Sequence, residues 1–126
     1  YGLDAEAYDC KLNVKANELY VSCWGCDKVL VFDTKNKNWK QPVSVGDNPN
    51  EMLLTNDGKY LYVCNANDNS VSVINVASKS VIETLDAALY PNSPSGSTTN
   101  SIALDPTAKR LYIAIQAESI WSFTFA

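Results

Sequence analysis

Whatever chemistry this chain performs must come from four cysteines, scattered carboxylates, loop amides and a few aromatics, because histidine is absent. That absence excludes a Ser-His-Asp triad, a Cys-His pair and any His-ligated metal within these residues. Cys23-Trp24-Gly25-Cys26 is a C-x-x-C. A redox-active pair of this spacing sits at a helix N-terminus, whose dipole lowers the thiol pKa, and no helix is expected to follow. A zinc site needs two further ligands, and only Cys10 and Cys64 remain. The thiols therefore read first as small buried apolar groups plus one loop thiol. A disulfide in an oxidising compartment is the alternative, and zinc comes last. Asn65-Ala66-Asn67-Asp68-Asn69 opens like a calcium loop, but its sixth position is Ser70 rather than Gly and its twelfth is Val76 rather than Glu. No metal, cofactor or catalytic residue is assigned. Asp27, Asp47, Glu51 and Asp68 could share a rim, but sequence gives no geometry for acid–base work.

The elements that position these residues come from a repeat. Leu19-Tyr20-Val21 returns 42 residues later as Leu61-Tyr62-Val63, and 50 residues after that as Leu111-Tyr112-Ile113. A period of about 40–45 residues with strand-like content is that of propeller blades. At the first offset Cys10 falls on Met52, Leu12 on Leu54, Val29 on Val71, Val31 on Val73 and Lys37 on Lys79. At the second, Asn50 meets Asn100, Met52 meets Ile102, Leu54 meets Leu104 and Val73 meets Phe123. The register places Cys10 among core residues.

Each copy reads as four short strands, A to D. The first has A about 8–13, B 18–23, C 27–33 and D 38–45; the second has A about 50–55, B 60–65, C 70–76 and D 80–87. The third has A about 100–105, B 110–115 and C 119–125, without a fourth strand. Val71 and Val73 alternate with Ser72 and Ile74 in the period of two that a pleated strand imposes. Asn56-Asp57-Gly58 is a hairpin turn, since these residues accept positive φ. Pro42 cannot donate to a ladder and marks strand D as an edge. The expected fold is all-β: a β-propeller of about three blades, the first over 8–45, the second over 50–87, a loop over 88–99 and an incomplete third over 100–126, together one partial domain.

Composition agrees. The chain has 126 residues, 46% of them hydrophobic and 19% charged, the balance of one globular domain. Ten basic against 14 acidic side chains give a net charge of −4, with no basic cluster, so nucleic acid is not an expected partner. No apolar run approaches the roughly 20 residues of a membrane span. No stretch reads as a signal peptide, and a start at Tyr1 rather than Met is read as a removed leader or a trimmed end.

The Leu-Tyr-Val triplets, Asn67-Asp68-Asn69-Ser70-Val71-Ser72-Val73-Ile74-Asn75, Val81-Ile82-Glu83-Thr84 and Asn56-Asp57-Gly58-Lys59-Tyr60 together resemble the YVTN-type β-propeller repeat over nearly the whole chain. That family occurs in bacterial and archaeal surface and periplasmic proteins and is related to seven-bladed lactonase-like propellers. The resemblance implies a periplasmic, cell-surface or secreted protein. Tyr90-Pro91-Asn92-Ser93-Pro94 with Gly96-Ser97-Thr98 also resembles a loop in propellers fused to phosphoesterase domains. Rings need about four to eight blades. Three copies are therefore expected to be part of a longer propeller, or to complete a ring with further copies, or to stand as an open arc. The end faces, including Leu12, Val31, Trp121 and Phe123, are expected to lie partly open.

In propellers the B–C and D–A connections share one face, and loops on a rigid scaffold carry function. The candidate ligand-binding residues there are Trp24, Asp27, Asn48, Asn50, Glu51, Asn65, Asn67, Asp68, Tyr90, Asn92 and Asn100. Aromatics with amides and carboxylates suit a small molecule, a glycan or a peptide. The leading expectation is a non-catalytic binding module. The alternative is the propeller portion of a larger hydrolase, phosphoesterase or lactonase-like. Single-stranded nucleic acid comes third, since only Lys28 is close in sequence to these aromatics.

Overall fold

The computed structural model describes residues 5–88, 90–96, 98–116 and 119–124. They form twelve strands and no helix: β1 Glu6–Asn13, β2 Glu18–Trp24, β3 Lys28–Asp33, β4 Asn38–Trp39, β5 Val43–Ser44, β6 Pro49–Leu54, β7 Tyr60–Asn65, β8 Ser70–Asn75, β9 Ser80–Asp86, β10 Thr99–Asp105, β11 Arg110–Ile115 and β12 Ser119–Thr124. No helix among the described residues is long and apolar enough to cross a membrane. Every pairing is antiparallel within its own blade, in the orders β1-β2-β3-β4, β6-β7-β8-β9 and β10-β11-β12. The fold is all-β and propeller-like, with a third sheet of three strands.

Strand D of the first blade is split. β4 pairs with Phe32 and Asp33, and β5 with Lys28 and Val29. Pro42 lies in the gap, where its missing N–H costs the ladder nothing. The hairpins obey the repeat as closely as the strands. Lys37 and Lys79 hold φ of 59° and 55° at equivalent C–D turns, and Asp27 and Asn69 hold 54° and 52° at equivalent B–C turns. Short polar side chains tolerate this region and bond their own backbone. Asp33 Oδ1 accepts the N–H of Lys35 and Asn36, both at 2.9 Å, and Asn75 Oδ1 accepts that of Ser78 at 3.0 Å.

The sheets stack face to face through the inner strands, β1 on β6 and β6 on β10. Two apolar layers result. Tyr20, Val29, Val31 and Val43 of the first blade meet Met52, Leu61, Val63 and Ile74 of the second. Tyr62, Val71 and Val73 of the second meet Ile102, Leu111 and Ile113 of the third. Each fully buried aliphatic side chain contributes about 1.5–3 kcal/mol, so neighbouring blades depend on one another.

Two expectations are corrected. Val31 is fully buried, because it faces the second blade and not the open end. Cys10 is exposed, because its face of β1 is the one that no described blade covers, although its counterparts Met52 and Ile102 are buried. Leu12 and Val14 are exposed on that strand and its turn. Phe123 is half-buried, and the side chain of Trp121 lies outside the described residues.

Candidate binding face

The B–C loops and the D–A connections meet and hold one another by hydrogen bonds. Asp27 Oδ1 accepts the Asn48 N–H at 3.3 Å, and Asp68 Oδ2 accepts the Asp47 N–H at 2.7 Å. The Asn67 amide donates to the Asp47 carboxylate. Asn69 Nδ2 donates to the Pro94 carbonyl at 2.9 Å, and the Gly96 N–H donates to the Asn67 carbonyl at 3.2 Å. One connection, Gly46 to Asn48, is thus tied to the B–C loops of two successive blades.

Inside this lattice lies the inner rim formed by β1, β6 and β10. Each strand slips in register at the same place, between Ala7 and Cys10, Pro49 and Met52, and Thr99 and Ser101. Such a bulge re-aims a side chain. Here it serves a carboxylate that reaches the next blade: Asp9 Oδ2 accepts the Met52 N–H at 2.9 Å, and Glu51 Oε2 accepts the Ile102 N–H at 3.1 Å. Lys11 pairs with Asp9 at 3.2 Å. Asn50 is buried and donates to the Thr99 carbonyl at 3.1 Å and to Asn100 Oδ1 at 3.3 Å. The Trp24 ring stacks on Tyr8, centroids 5.8 Å apart and planes 25° apart. Tyr8, Asp9, Lys11, Glu51, Asn100 and Ser101 line an open cleft of about 360 Å³.

The cysteines divide by place. Cys23 and Cys26 form a disulfide, with Cα atoms 5.5 Å apart, which replaces the expected buried and loop thiols. The cause is local: β2 ends at Trp24 and Gly25 takes φ of +81°, so the chain turns back on itself between the two sulfurs. Cys64 remains a free buried thiol. Burial, with the Glu51 charge adding to it, pushes its pKa up to about 12. It is protonated at neutral pH and is no nucleophile there. Among the described residues no group of three or more Cys, Asp or Glu converges as metal ligands.

A model of the seven-bladed β-propeller lactonase family matches residues 4–98. The chain belongs to that family. Antigen Lp49 of Leptospira interrogans is 47% identical to this lactonase-family chain over 47 residues, which are 37% of the chain and 10% of that relative. Hydrazine synthase of Kuenenia stuttgartiensis superimposes with a TM-score of 0.73 at 24% identity, over 90% of the chain and 30% of the other. The dihydro-heme d1 dehydrogenase NirN in complex with DHE superimposes with a TM-score of 0.73 at 17% identity, over 95% and 26%. The chain thus spans a tenth of the curated relative and less than a third of these two structures, whose likeness carries the fold alone.

Within this lactonase-family arc, the residues singled out from sequence fall into groups. Trp24, Asn50, Glu51 and Asn100 come together at the inner rim. Asp27, Asn48, Asn67 and Asp68 commit polar groups to the loop lattice. Asn65 is fully buried at the end of β7. Tyr90 and Asn92 are exposed in a loop whose Tyr90 N–H donates to Ser93 Oγ at 3.0 Å. Sequence reasoning missed Tyr8, Asp9, Lys11 and Ser101. The signal was present for Asp9, which falls on Glu51 at the first repeat offset, directly before a core position.

Proposed function

We propose that this chain is a binding or interaction arc of a lactonase-type propeller and that it takes its ligand at the inner end of the loop face. The observation that carries the reading is the Tyr8–Trp24 stack beside the cleft of Asp9, Lys11, Glu51 and Asn100. A flat apolar plate next to both signs of charge and a carboxamide suits a glycan, a peptide or a small polar molecule, held by stacking and directed hydrogen bonds. The natural partners are further blades of the same ring, or additional copies of this chain. A periplasmic, cell-surface or secreted location accords with the disulfide and with likeness to a protein named as an antigen.

The test is a glycan and peptide panel read by retention and by tryptophan fluorescence. Specific retention, weakened about tenfold or more by Trp24→Ala, is expected. Binding that ignores Trp24→Ala refutes the site, and a single-stranded oligonucleotide bound with an affinity that collapses with salt points instead to nucleic acid.

A second reading has one supporting observation. The family is named for lactonases, which are hydrolases. The arc would then be the propeller portion of a larger hydrolase. Hydrolysis of lactones or phosphoesters by the chain, or metal-ligand motifs in a parent reading frame, would favour it.

A further inference from the structure

Three differences set the first blade apart from its sisters, and all of them meet at the Tyr8–Trp24 plate. Tyr8 stands where the other blades have Asn50 and Asn100, and Trp24 stands where they have Ala66 and Gln116. Cys23 and Cys26 stand where the second blade has Asn65 and Asp68. Asn50 gives its amide to the joint with the third blade, at the Thr99 carbonyl and Asn100 Oδ1. Tyr8 has no amide to give, and its ring lies on that of Trp24 instead. The same frame thus carries a polar joint in one copy and an aromatic plate in another, so the plate is not a requirement of the fold.

The B–C turns beside these positions are held by different means. In the second blade, Asp68 Oδ2 accepts the Asp47 N–H at 2.7 Å, and Asn69 Nδ2 donates to the Pro94 carbonyl at 2.9 Å. Connections on both sides therefore grip that turn. In the first blade the turn swings out at Gly25, where an added Cβ would meet nothing within 4 Å. Packing does not hold this tip. The Cys23–Cys26 bond closes it instead, across Trp24 and Gly25 alone. Cys23 is fully buried and anchors the bond in the sheet, while Cys26 is only half-buried. The stabilisation that a disulfide gives the whole chain grows with the loop it closes. A bond between residues three apart closes a very short loop, so it acts chiefly on the two residues inside it. One of those is the tryptophan of the plate.

We propose that Cys23 and Cys26 are positioning residues of the rim: their disulfide locks Trp24 against Tyr8, and opening it to two thiols takes the plate apart and weakens binding there. The lock deepens the reading of this rim as the binding face and rests on it. The opening step is exchange with a small dithiol. One thiolate of the reagent attacks the Cys26 sulfur, the S–S bond breaks, and Cys23 leaves as a thiolate and takes a proton. The second thiol of the reagent then displaces Cys26, and the reagent departs as its cyclic disulfide. The protein gains two electrons and two protons. Cys10 and Cys64 are already free thiols, so the reagent has one bond to act on.

The test compares isotopically labelled chain with and without dithiothreitol, followed by the Trp24 indole N–H resonance and the ring contacts between Tyr8 and Trp24. Trp39, which packs edge-on against Phe32, is the internal control. Reduction should shift the Trp24 indole and erase the ring contacts, while the Trp39 indole and the Leu61 methyls stay in place. The double variant Cys23→Asn, Cys26→Asp installs the pair of the second blade. It should lack the ring contacts and ignore the reagent. Reduction of the unaltered chain is the deciding arm, since it needs no variant to fold. Ring contacts that survive reduction would overturn the proposal. Loss of the Leu61 resonances along with them would overturn it too, because the bond would then hold the fold and not the plate. The glycan and peptide panel, read on oxidised and reduced chain, should show retention falling about tenfold on reduction, as with Trp24→Ala. Retention unchanged after the ring contacts vanish would overturn the proposal. With no retention in either state the binding face itself fails, and the ring contacts alone judge the lock.

Discussion

At the seam between the first two blades, Glu18 lies buried at the end of an apolar layer and gathers three partners. Tyr20 Oη donates to it at 2.5 Å, and Lys40 and Lys79 each pair with it at 2.9 Å. Lys79 belongs to the second blade, so this cluster crosses the seam. At the seam between the second and third blades, the residues 42 positions on are Tyr60 for Glu18, Tyr62 for Tyr20 and Ile82 for Lys40. There the wedge is an open pocket of about 500 Å³, bordered by Tyr60, Tyr62, Ile82, Glu83 and Asp57. Tyr20, Val29 and Val31 against Met52, Leu61 and Val63 at the first seam recur at the second as Tyr62, Val71 and Val73 against Ile102, Leu111 and Ile113, whereas the outer wedge differs. The layer is therefore what stacks a blade. The wedge is free to be locked by charge or left open, and a buried ion cluster fixes alignment more reliably than it adds stability.

Four experiments break or sharpen that comparison. The largest effect belongs to the shared layer: Leu61→Ala and Leu111→Ala should each cost about 2–5 kcal/mol by chemical denaturation. Costs that differed several-fold would show that the two layers are not equivalent. Next is Glu18→Gln, which takes the carboxylate away from Lys79 and leaves Lys40 to Asp33 at 3.6 Å, and should cost about 2 kcal/mol, whereas Tyr60→Phe at the equivalent position should stay within about 0.5 kcal/mol.

The third is pH. Burial pushes the Glu18 pKa up, but hydrogen bonds from Tyr20, Lys79 and Lys40 outweigh it and hold the carboxyl below its ordinary value of 4.5. The folded state then favours the charged form. Its stabilisation is full above the ordinary value and fades as pH falls through the lower, folded one. The denaturation midpoint should drop in acid, and Glu18→Gln should flatten that limb. Tyr20 behaves oppositely: burial and its bond to Glu18 raise its pKa above 10, so stability should decline as pH rises past 10. The smallest effect is the hydroxyl itself. Tyr20→Phe should cost about 1 kcal/mol, and Tyr62→Phe less than half of that, since no hydrogen bond joins the Tyr62 hydroxyl to another group among the described residues.

The stacking half of this comparison was legible in the residues, and the wedge was not. Leu19, Leu61 and Leu111 each open a B-strand triplet whose spacing alone implies blades. Val29 and Val31 alternate as a strand must, but a period of two cannot say which neighbour a face meets, so Val31 was expected at an open end. Cys10 misled for the converse reason: its register matched Met52, while burial depends on a covering blade. The Cys23–Cys26 bond needed the turn at Gly25, a property of φ rather than of spacing. Glu18 and Lys79 lie 61 residues apart with no pattern linking them. Of the candidate site, the loop face was legible from its turn chemistry, but which of its residues tie loops together was not: Asp27, Asn48, Asn67 and Asp68 hold the joints. The inner rim was half visible through Asn50, Glu51 and Asn100, and half hidden by a bulge in β1 that no composition signals.

The carboxylates of Asp9 and Glu51 give every joint a front and a back. The acceptor always sits on the earlier blade and the amide on the later one. Such a contact is heterologous: it propagates in one rotational sense and stops only on meeting its own beginning. A further blade, inherited in the chain or supplied by another copy, can therefore dock in one orientation alone. Ser101 holds that place in the third blade, so the next joint along would be made without a charge.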